Sequence, residues 1–198
     1  MTIPAQLITD VKAWLNFEYS DELIESWVRV AFEAMSDTLR CSHMVTIETA
    51  EIDVDRVLLP VGWLEMDFLR DLEGGPIHFR SREDFYRTDL ENDGYYTVSG
   101  NHLIMGGSPT DSVPKQVELT FFEKLPTSFD ETHFMFTSYY TLTLYGVLAA
   151  SADYSEDDEN ALKWNGVVAN RISAINDQYK SGRVAGSRLR RPRRHGFG

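Results

Sequence analysis

The 198-residue chain has one cysteine, Cys41. A single thiol excludes an intrachain disulfide and a four-thiolate metal site, and it suits a reducing compartment. The N-terminal residues lack the basic start and the long apolar core of a secretion signal. No apolar run approaches the ~20 residues that a membrane-spanning helix needs, so we expect no membrane partner.

Basic residues are scarce in the first 179 positions and concentrated at the C-terminal end. The whole chain has 19 Lys and Arg against 31 Asp and Glu, a net charge of -12. Residues 180–198 contain seven of the basic residues and no acidic one, which leaves twelve against 31, or -19, in residues 1–179. A body this acidic repels polyanions at short range, so it is a poor candidate for binding DNA or RNA over its whole surface.

The local motifs that mark common cofactor and metal sites are missing. Neither a G-x-x-x-x-G-K-[ST] nor a G-x-G-x-x-G loop occurs. The five histidines never form H-x-x-x-H, which excludes a helical zinc pair. The acidic run at residues 153–159 lacks the glycine of a calcium loop and a terminal glutamate at the required spacing, and it is interpreted as a solvated helix start.

The catalytic candidates are weak. Cys41 is a candidate nucleophile, but on a mainly apolar helix a small buried side chain is the commoner role. Glu65 and Asp67, two residues apart on a predicted helix, do not share a face. We therefore expect no catalytic residue, no cofactor and no metal site. A site assembled from distant residues would show no local motif.

Helical patterns flank a β-rich middle. Apolar residues recur at helical spacing at 5–15 and, after the cap Ser20, at about 20–41. Alternation predicts strands at 44–52, 57–59, 77–80, 95–99, 102–105 and 116–122, with Gly100 and Asn101 as a hairpin turn. Residues 63–72 are predicted to form a short helix, and Ser81 to start a helical turn that runs through Phe85.

Helical patterns return near the C-terminus. Residues 134–152 are apolar or small and predict a buried helix over their later part. Ser155 is expected to cap a further helix, which ends near Tyr179. Gly182, Gly186 and Pro192 oppose its continuation, so an extended arm is predicted beyond it.

The predicted fold class is α+β. Helices from both ends of the chain form an antiparallel bundle, a β-rich region with an antiparallel sheet is inserted between them, and an extended arm follows. The corresponding boundaries are 1–43 for the N-terminal helices, 44–128 for the β-rich region, 129–181 for the C-terminal helices and 182–198 for the arm.

The arm concentrates five arginines in seven residues and ends near a phenylalanine. The candidate binding residues are Arg188, Leu189, Arg190, Arg191, Arg193, Arg194 and Phe197. Three interpretations remain open: a solubilising terminus or expression remnant, a segment that binds nucleic-acid phosphates without sequence choice, and a segment that docks into an acidic groove of a protein. The planar guanidinium suits carboxylates, and Phe197 could fill a pocket.

The order of four segments resembles a family of viral proteins, the head-to-tail adaptors of tailed bacteriophages, of the tail tubular protein A type. The segments are L-P-V-G-W-L-E-M-D-F-L at 59–69, Y-Y-T-V-S-G-N-H-L-I-M-G-G at 95–107, V-E-L-T-F-F-E-K-L-P at 117–126, and Y-G-V-L-A-A-S-A-D-Y at 145–154, which the Trp164 helix follows. They look like that family's proline and short Phe/Leu helix, its Gly-Asn hairpin, its strand that leads into a proline, and its C-terminal helix pair. Phe121 and Phe122 stand where the family usually has two tyrosines.

The resemblance implies a structural virion protein without enzymatic activity, located at the head–tail junction and assembled in the host cytoplasm. It implies a ring of twelve copies whose C-terminal arms grip the portal protein, whose other face receives the tail nozzle or other tail proteins, and whose lumen passes double-stranded DNA without specific binding. An acidic wall would let DNA slide, because each neutralised phosphate adds binding energy.

Two rival hypotheses predict different observations. A nucleic-acid-binding module that uses the arm would show steeply salt-dependent DNA binding, lost when the arm is removed. A small enzyme with a dispersed site would show a deep pocket with convergent polar groups and perturbed pKa values.

Overall fold

We analysed a computed structural model of the chain, which describes residues 3–53, 55–73, 75–87, 91–106 and 116–189, the last six by their backbone only. These residues form a mixed α+β structure with six α-helices and seven strands. The chain divides into two compact units. We call Met1–His43 with Leu125–Gly198 the helical unit, and Met44–Lys124 the sheet unit.

The helical unit begins with α1 (Ala5–Leu15) and α2 (Asp21–Ser36). Asn16 adopts a left-handed conformation and ends α1, as an αL residue does at many helix C-termini. The predicted cap of α2 is confirmed, because the Ser20 side chain accepts a hydrogen bond from Leu23 N. Lys12 then pairs with Asp21 at 3.0 Å and links the two helices.

Helix α2 ends five residues before the predicted residue 41. Its last turns close through backbone bonds from Thr38 N and Leu39 N to Met35 O. Asn176 of the last helix then accepts from Arg40 N and donates to Thr38 O. This side chain satisfies backbone groups that a continued helix would otherwise pair.

The C-terminal helices are α4 (Phe134–Thr137), α5 (Tyr140–Tyr154) and α6 (Asp158–Leu189). Helix α5 is the buried helix that the apolar run predicts, with ten buried residues from Leu142 to Ala152. At Gly146 an added Cβ would lie 3.2 Å from Ala31 Cβ and from Met35 Cε. The absent side chain therefore lets α2 and α5 pack closely.

Two predictions about α6 are wrong. Ser155 does not cap it, because the Ser155 hydroxyl donates to carbonyls at the end of α5, and Asp157 instead accepts from Asn160 N. The helix also does not stop near residue 179 but runs to Leu189, so residues 182–189 are helical rather than extended. A glycine inside a helix costs only about 1 kcal/mol relative to alanine, so Gly182 and Gly186 weaken the helix without ending it. Pro192 lies beyond the last helical residue and therefore does not interrupt the helix.

The strands are β1 (Val45–Glu51), β2 (Arg56–Leu58), β3 (Trp63–Asp71), β4 (Pro76–Phe79), β5 (Tyr95–Ser99), β6 (His102–Met105) and β7 (Gln116–Glu123). They form one sheet in the order β1-β7-β3-β4-β5-β6-β2. The predicted hairpin is confirmed, with Gly100 at a φ of 62° between β5 and β6. Beside it lies α3 (Arg82–Phe85), which Ser81 caps as predicted.

The sheet corrects two expectations. Residues 63–71 form strand β3 rather than a helix, because β3 pairs with β7 on one side and with β4 on the other. Leu, Met and Glu favour helices locally, but non-local pairing overrides that preference. The sheet is also not wholly antiparallel. Strands β4 and β5 are parallel, since the chain between them passes through α3 instead of a tight turn.

One face of the sheet carries the core of the sheet unit. Its buried members come from six strands: Val57, Leu69, Ile77, Tyr96, Leu103, Met105, Val117, Leu119 and Phe121. The chain enters and leaves this unit through paired strands, because Val45 at the start of β1 is the cross-strand partner of Phe122 near the end of β7.

Candidate functional site

The predicted arm falls partly within the described residues. Arg188 and Leu189 lie in the last turn of α6. Arg190, Arg191, Arg193, Arg194 and Phe197 lie outside the described residues. The structure therefore shows where the arm begins, at the end of a 32-residue helix. At 1.5 Å per residue this helix is roughly 48 Å long.

Charge is distributed unevenly along α6. Its first turn contains Asp158 and Glu159, directly after the cap Asp157, whose pKa is lowered by hydrogen bonds from Asn160. Its C-terminal part contains Lys180 and Arg183. Carboxylates near a helix N-terminus and cations near its C-terminus both complement the helix dipole. The two ends of α6 thus present opposite charge.

The middle of α6 is fastened to its own unit. Ala161 and Ile172 are buried, and Arg171 lies over the Tyr145 ring of α5 at 5.1 Å. Asn176 makes the two hydrogen bonds to the segment after α2 described above. This attachment fixes the line along which α6 extends toward the arm.

An aromatic groove lies at the acidic end of α6. We use this name for a cavity of about 370 Å³ lined by Trp14, Tyr19, Leu148, Asp157, Lys163 and Trp164, among others. The Trp14 and Trp164 rings meet edge to face at 5.5 Å, and Trp164 stacks on Tyr145 at 5.4 Å. Trp14 is nevertheless 54% exposed, so a broad indole surface remains open to a partner.

The chain segment that contributes Asp157 to the aromatic groove is acidic. Five carboxylates fall between residues 153 and 159: Asp153, Glu156, Asp157, Asp158 and Glu159. All but the half-buried Asp157 are exposed, and within the described part of the chain none of the five forms an ion pair with Lys or Arg. The groove's one lining cation, Lys163, sits 4.3 Å from the centre of the Trp164 ring. An exposed aromatic surface with unpaired carboxylates suits a cationic partner.

The candidate nucleophile Cys41 lies in a buried region that also contains Tyr139. Cys41 is 1% exposed and interacts with Tyr139, whose pKa is raised to about 12 by burial and by that thiol. A short hydrogen bond joins the Tyr140 hydroxyl to Asp10, and burial and this bond raise the Tyr140 pKa well above its usual range. These groups tie α1, α5 and the segment after α2 together.

Glu65 and Asp67 lie on β3 rather than on a helix. Burial, and secondarily the Glu65 charge, raises the pKa of Tyr96 to about 12. Among the described residues no group of three or more His, Cys, Asp or Glu side chains is arranged to hold a metal ion. In the same part of the chain no helix is both long enough and apolar enough to span a membrane.

The sheet unit has an open face opposite its core. Ile47 of β1 and Phe68 of β3 both pair with Thr120 of β7, so they lie in one row, and they are 64% and 41% exposed. In the neighbouring row Arg70 contacts both carboxylate oxygens of Glu118, at 2.8 and 2.9 Å. A bidentate pair of this kind holds the two strands in register.

Sequence reasoning missed the aromatic groove. The helical periodicity of residues 5–15 includes Trp14, but a periodic pattern within one helix cannot show that its indole stays exposed where it meets another helix. The available signal was a tryptophan on each of the first and last helices and a dense acidic run where α5 ends and α6 begins.

Two comparisons relate the whole chain to known proteins. A family model described as SU10 adaptor protein matches residues 1–193, nearly the whole chain. No curated protein matches the chain significantly.

Proposed function

Since this chain belongs to the SU10 adaptor protein family, it is a phage head–tail adaptor, a structural virion protein, and we propose that it docks on the portal through its C-terminal arm. The arm is the segment from Arg188 to Gly198. The other side of the adaptor connects to tail proteins such as a nozzle.

The observation that supports this proposal is the course of α6. The helix is fastened to α5 and to the segment after α2, and it ends at the first residues of the arm. The basic residues Lys180 and Arg183 already mark its C-terminal part. The arginines of the arm thus come at the end of α6 opposite its acidic first turn, where they meet a partner with free carboxylates.

The proposal includes a ring of twelve copies with DNA in its lumen. The charge of -19 on residues 1–179 favours a wall that DNA slides past, because a polyanion gains no counterion-release energy from an acidic surface. Many copies that engage one portal together make modest arm contacts collectively strong. The ring and its number come from the resemblance to tail tubular protein A, and membership of that subfamily is part of the proposal. The protein acts, on this proposal, without catalysing a reaction.

The experiment is co-sedimentation with a candidate portal ring. Three proteins are compared: the full chain, a chain that ends at Leu189 and so keeps α6 whole, and a full chain with Arg190, Arg191, Arg193 and Arg194 changed to Gln. We expect only the full chain to sediment with the ring. A variant with Lys at the four positions is the matched control, because it keeps the charge and removes the planar fork.

Each outcome has a distinct meaning. If the Lys variant binds like the full chain, the arm acts by charge; if it fails like the Gln variant, the guanidinium geometry is required. If the chain that ends at Leu189 binds the ring as well as the full chain, the arm is not the portal contact. If the full chain ignores the ring but binds DNA with a steep salt dependence that the Gln variant lacks, the nucleic-acid hypothesis replaces the proposal.

A further inference from the structure

The aromatic groove has no occupant within the chain's described residues, and its chemistry is specific. Trp14 presents an exposed ring beside Trp164, whose face already accepts the Lys163 ammonium at 4.3 Å. Asp157 lines the groove, and four exposed carboxylates lie within four residues of it in sequence, at 153, 156, 158 and 159. A segment that combines guanidinium groups with an apolar residue would satisfy both the rings and the carboxylates.

The chain itself contains such a segment. Residues 187–198 read S-R-L-R-R-P-R-R-H-G-F-G, with five arginines, Leu189, Phe197 and no acidic residue. We propose that the aromatic groove of one copy binds the C-terminal arm of a second copy. An arginine guanidinium group stacks on the exposed Trp14 ring, other arginines pair with Asp157 and with the carboxylates next to it in sequence, and Phe197 adds an apolar contact.

The arm of the same copy cannot reach the groove. The α6 residue of the groove nearest to the arm is Trp164, which precedes the end of the helix at Leu189 by 25 residues, roughly 38 Å along the axis. Nine residues, 190–198, follow the helix, and a fully extended chain of nine residues spans at most ~32 Å. The groove therefore requires an arm from another molecule.

This inference goes beyond the proposed function, because it concerns the protein in the absence of a portal. An arm that occupies a second copy's groove is not available to the portal, so the two contacts exclude each other. The contact is also head-to-tail, in which each copy offers an arm and a groove. Such contacts add further copies with rising concentration instead of stopping at a symmetric dimer.

The test is sedimentation velocity of the full chain alone, over a range of protein concentration. We expect concentration-dependent self-association that 0.5 M salt weakens. Changing Arg193 and Arg194 to Glu, or the exposed Asp158 and Glu159 that follow the groove-lining Asp157 to Lys, should each weaken it about tenfold or more, since each change replaces two attractions with two repulsions. Combining both changes in one protein should restore it.

The matched control changes Glu48 and Glu83 to Lys. Both carboxylates are exposed and belong to the sheet unit, so this variant alters the net charge by the same amount without touching the groove. It should associate like the unchanged chain. A peptide of residues 187–198, added in excess, should dissociate the assemblies by competing for the groove.

Several results would overturn the inference. These are a full chain that stays monomeric at every concentration, equal weakening by the groove and control variants, or no recovery when both charge changes are combined. Equal weakening of self-association by both variants would mean that the arm is attracted by the net negative charge of the protein and not by the groove. Circular dichroism of each variant separates a lost contact from a lost fold. Portal binding is absent from this experiment, so its failure leaves the portal proposal untouched.

Discussion

The helical and sheet units are assembled in opposite ways. The sheet unit is one continuous stretch, and its first and last strands are hydrogen-bonded neighbours. The helical unit joins the two ends of the chain, so its helices meet across 81 intervening residues, 44–124. Individual polar side chains close that join: Ser36 accepts a bond from Leu125 N, and Asn176 clasps the segment after α2. The sheet unit is continuous in sequence, whereas the helical unit depends on packing and hydrogen bonds between residues far apart in sequence.

The largest effect should come from removing one large side chain from each core. Phe32 and Phe121 are both 1% exposed, and Phe32 packs against Phe129 at 4.8 Å and Phe136 at 5.6 Å. Phe32→Ala should lower the free energy of unfolding of the helical unit by about 3–5 kcal/mol, and Phe121→Ala should do the same to the sheet unit. Hydrogen exchange resolved by peptide measures each unit separately.

Each phenylalanine variant is the control for the other. Phe32→Ala should reduce protection in α2 and α5 and leave β7 protected, and Phe121→Ala should do the reverse. Equal loss of protection in both units from either substitution would show that they unfold as one cooperative structure. It would contradict the expectation that the two units are stabilised independently.

A smaller effect is expected where α6 meets the segment after α2. Asn176→Ala removes the bonds to Arg40 N and Thr38 O, which measure 2.7 and 2.8 Å. The cost should be about 1–3 kcal/mol and should come mainly from the part-buried Arg40 N, because Thr38 O is exposed and water can replace its partner. The loss should be confined to the helical unit. Urea unfolding followed by tryptophan fluorescence suits this measurement, because three of the four tryptophans, Trp14, Trp27 and Trp164, belong to the helical unit.

The comparison variant for this join is Asn170→Ala. Asn170 is exposed on the same helix, so its removal should change the free energy of unfolding by less than about 0.5 kcal/mol. If Asn170→Ala shifted the urea midpoint as much as Asn176→Ala, the lost stability would come from the α6 helix itself and not from its hydrogen bonds to the segment after α2.

The smallest effect is a pH dependence limited to the helical unit. Burial lowers the pKa of His133 from its ordinary 6.5, and the nearby Asp130 charge only partly opposes this shift. The folded state therefore binds this proton less readily than the unfolded chain. The stabilisation is complete above pH 6.5 and is lost as the pH falls through the folded-state pKa. His133 Nδ1 also accepts a bond from Met135 N, which protonation would break.

Unfolding at pH 7.5 and pH 5.5 measures the His133 effect, and the window stays above the titration of Asp130. His133→Asn keeps a side-chain acceptor for the helix start and removes the titration, so the stability of the helical unit should vary less with pH. An unchanged slope in that variant would assign the pH dependence to another group. Protection of β7 should not change between the two pH values.

The sequence predicted the elements whose cause is local. The Ser20 cap, the apolar α5 and the Gly100 hairpin each depend on residues within a few positions of one another, and all were confirmed. Strand β3 was not predicted, because its cause is pairing with β7 about fifty residues away. The length of α6 was underestimated, since glycine lowers helix propensity without ending a helix as proline does.

The candidate binding surfaces also include features that the local sequence predicts and features that only the folded structure reveals. The charge of the arm is visible in the sequence, as is the acidic run at 153–159. That Trp14 and Trp164 meet at 5.5 Å and leave one ring exposed is a result of how α1 and α6 pack. No local pattern contains that geometry, so the aromatic groove could be found only in the folded protein.

The pairing of Val45 with Phe122 has a consequence for how this chain can vary. Cross-strand partners lie about 5 Å apart at their Cα atoms, so the sheet unit leaves the chain almost where it entered. A short turn could bridge the same gap, and the entropy of closing a loop grows only slowly with its length. This point of the chain is therefore a domain insertion site. The whole sheet unit can be shortened, enlarged or exchanged for another domain there at little cost in loop entropy.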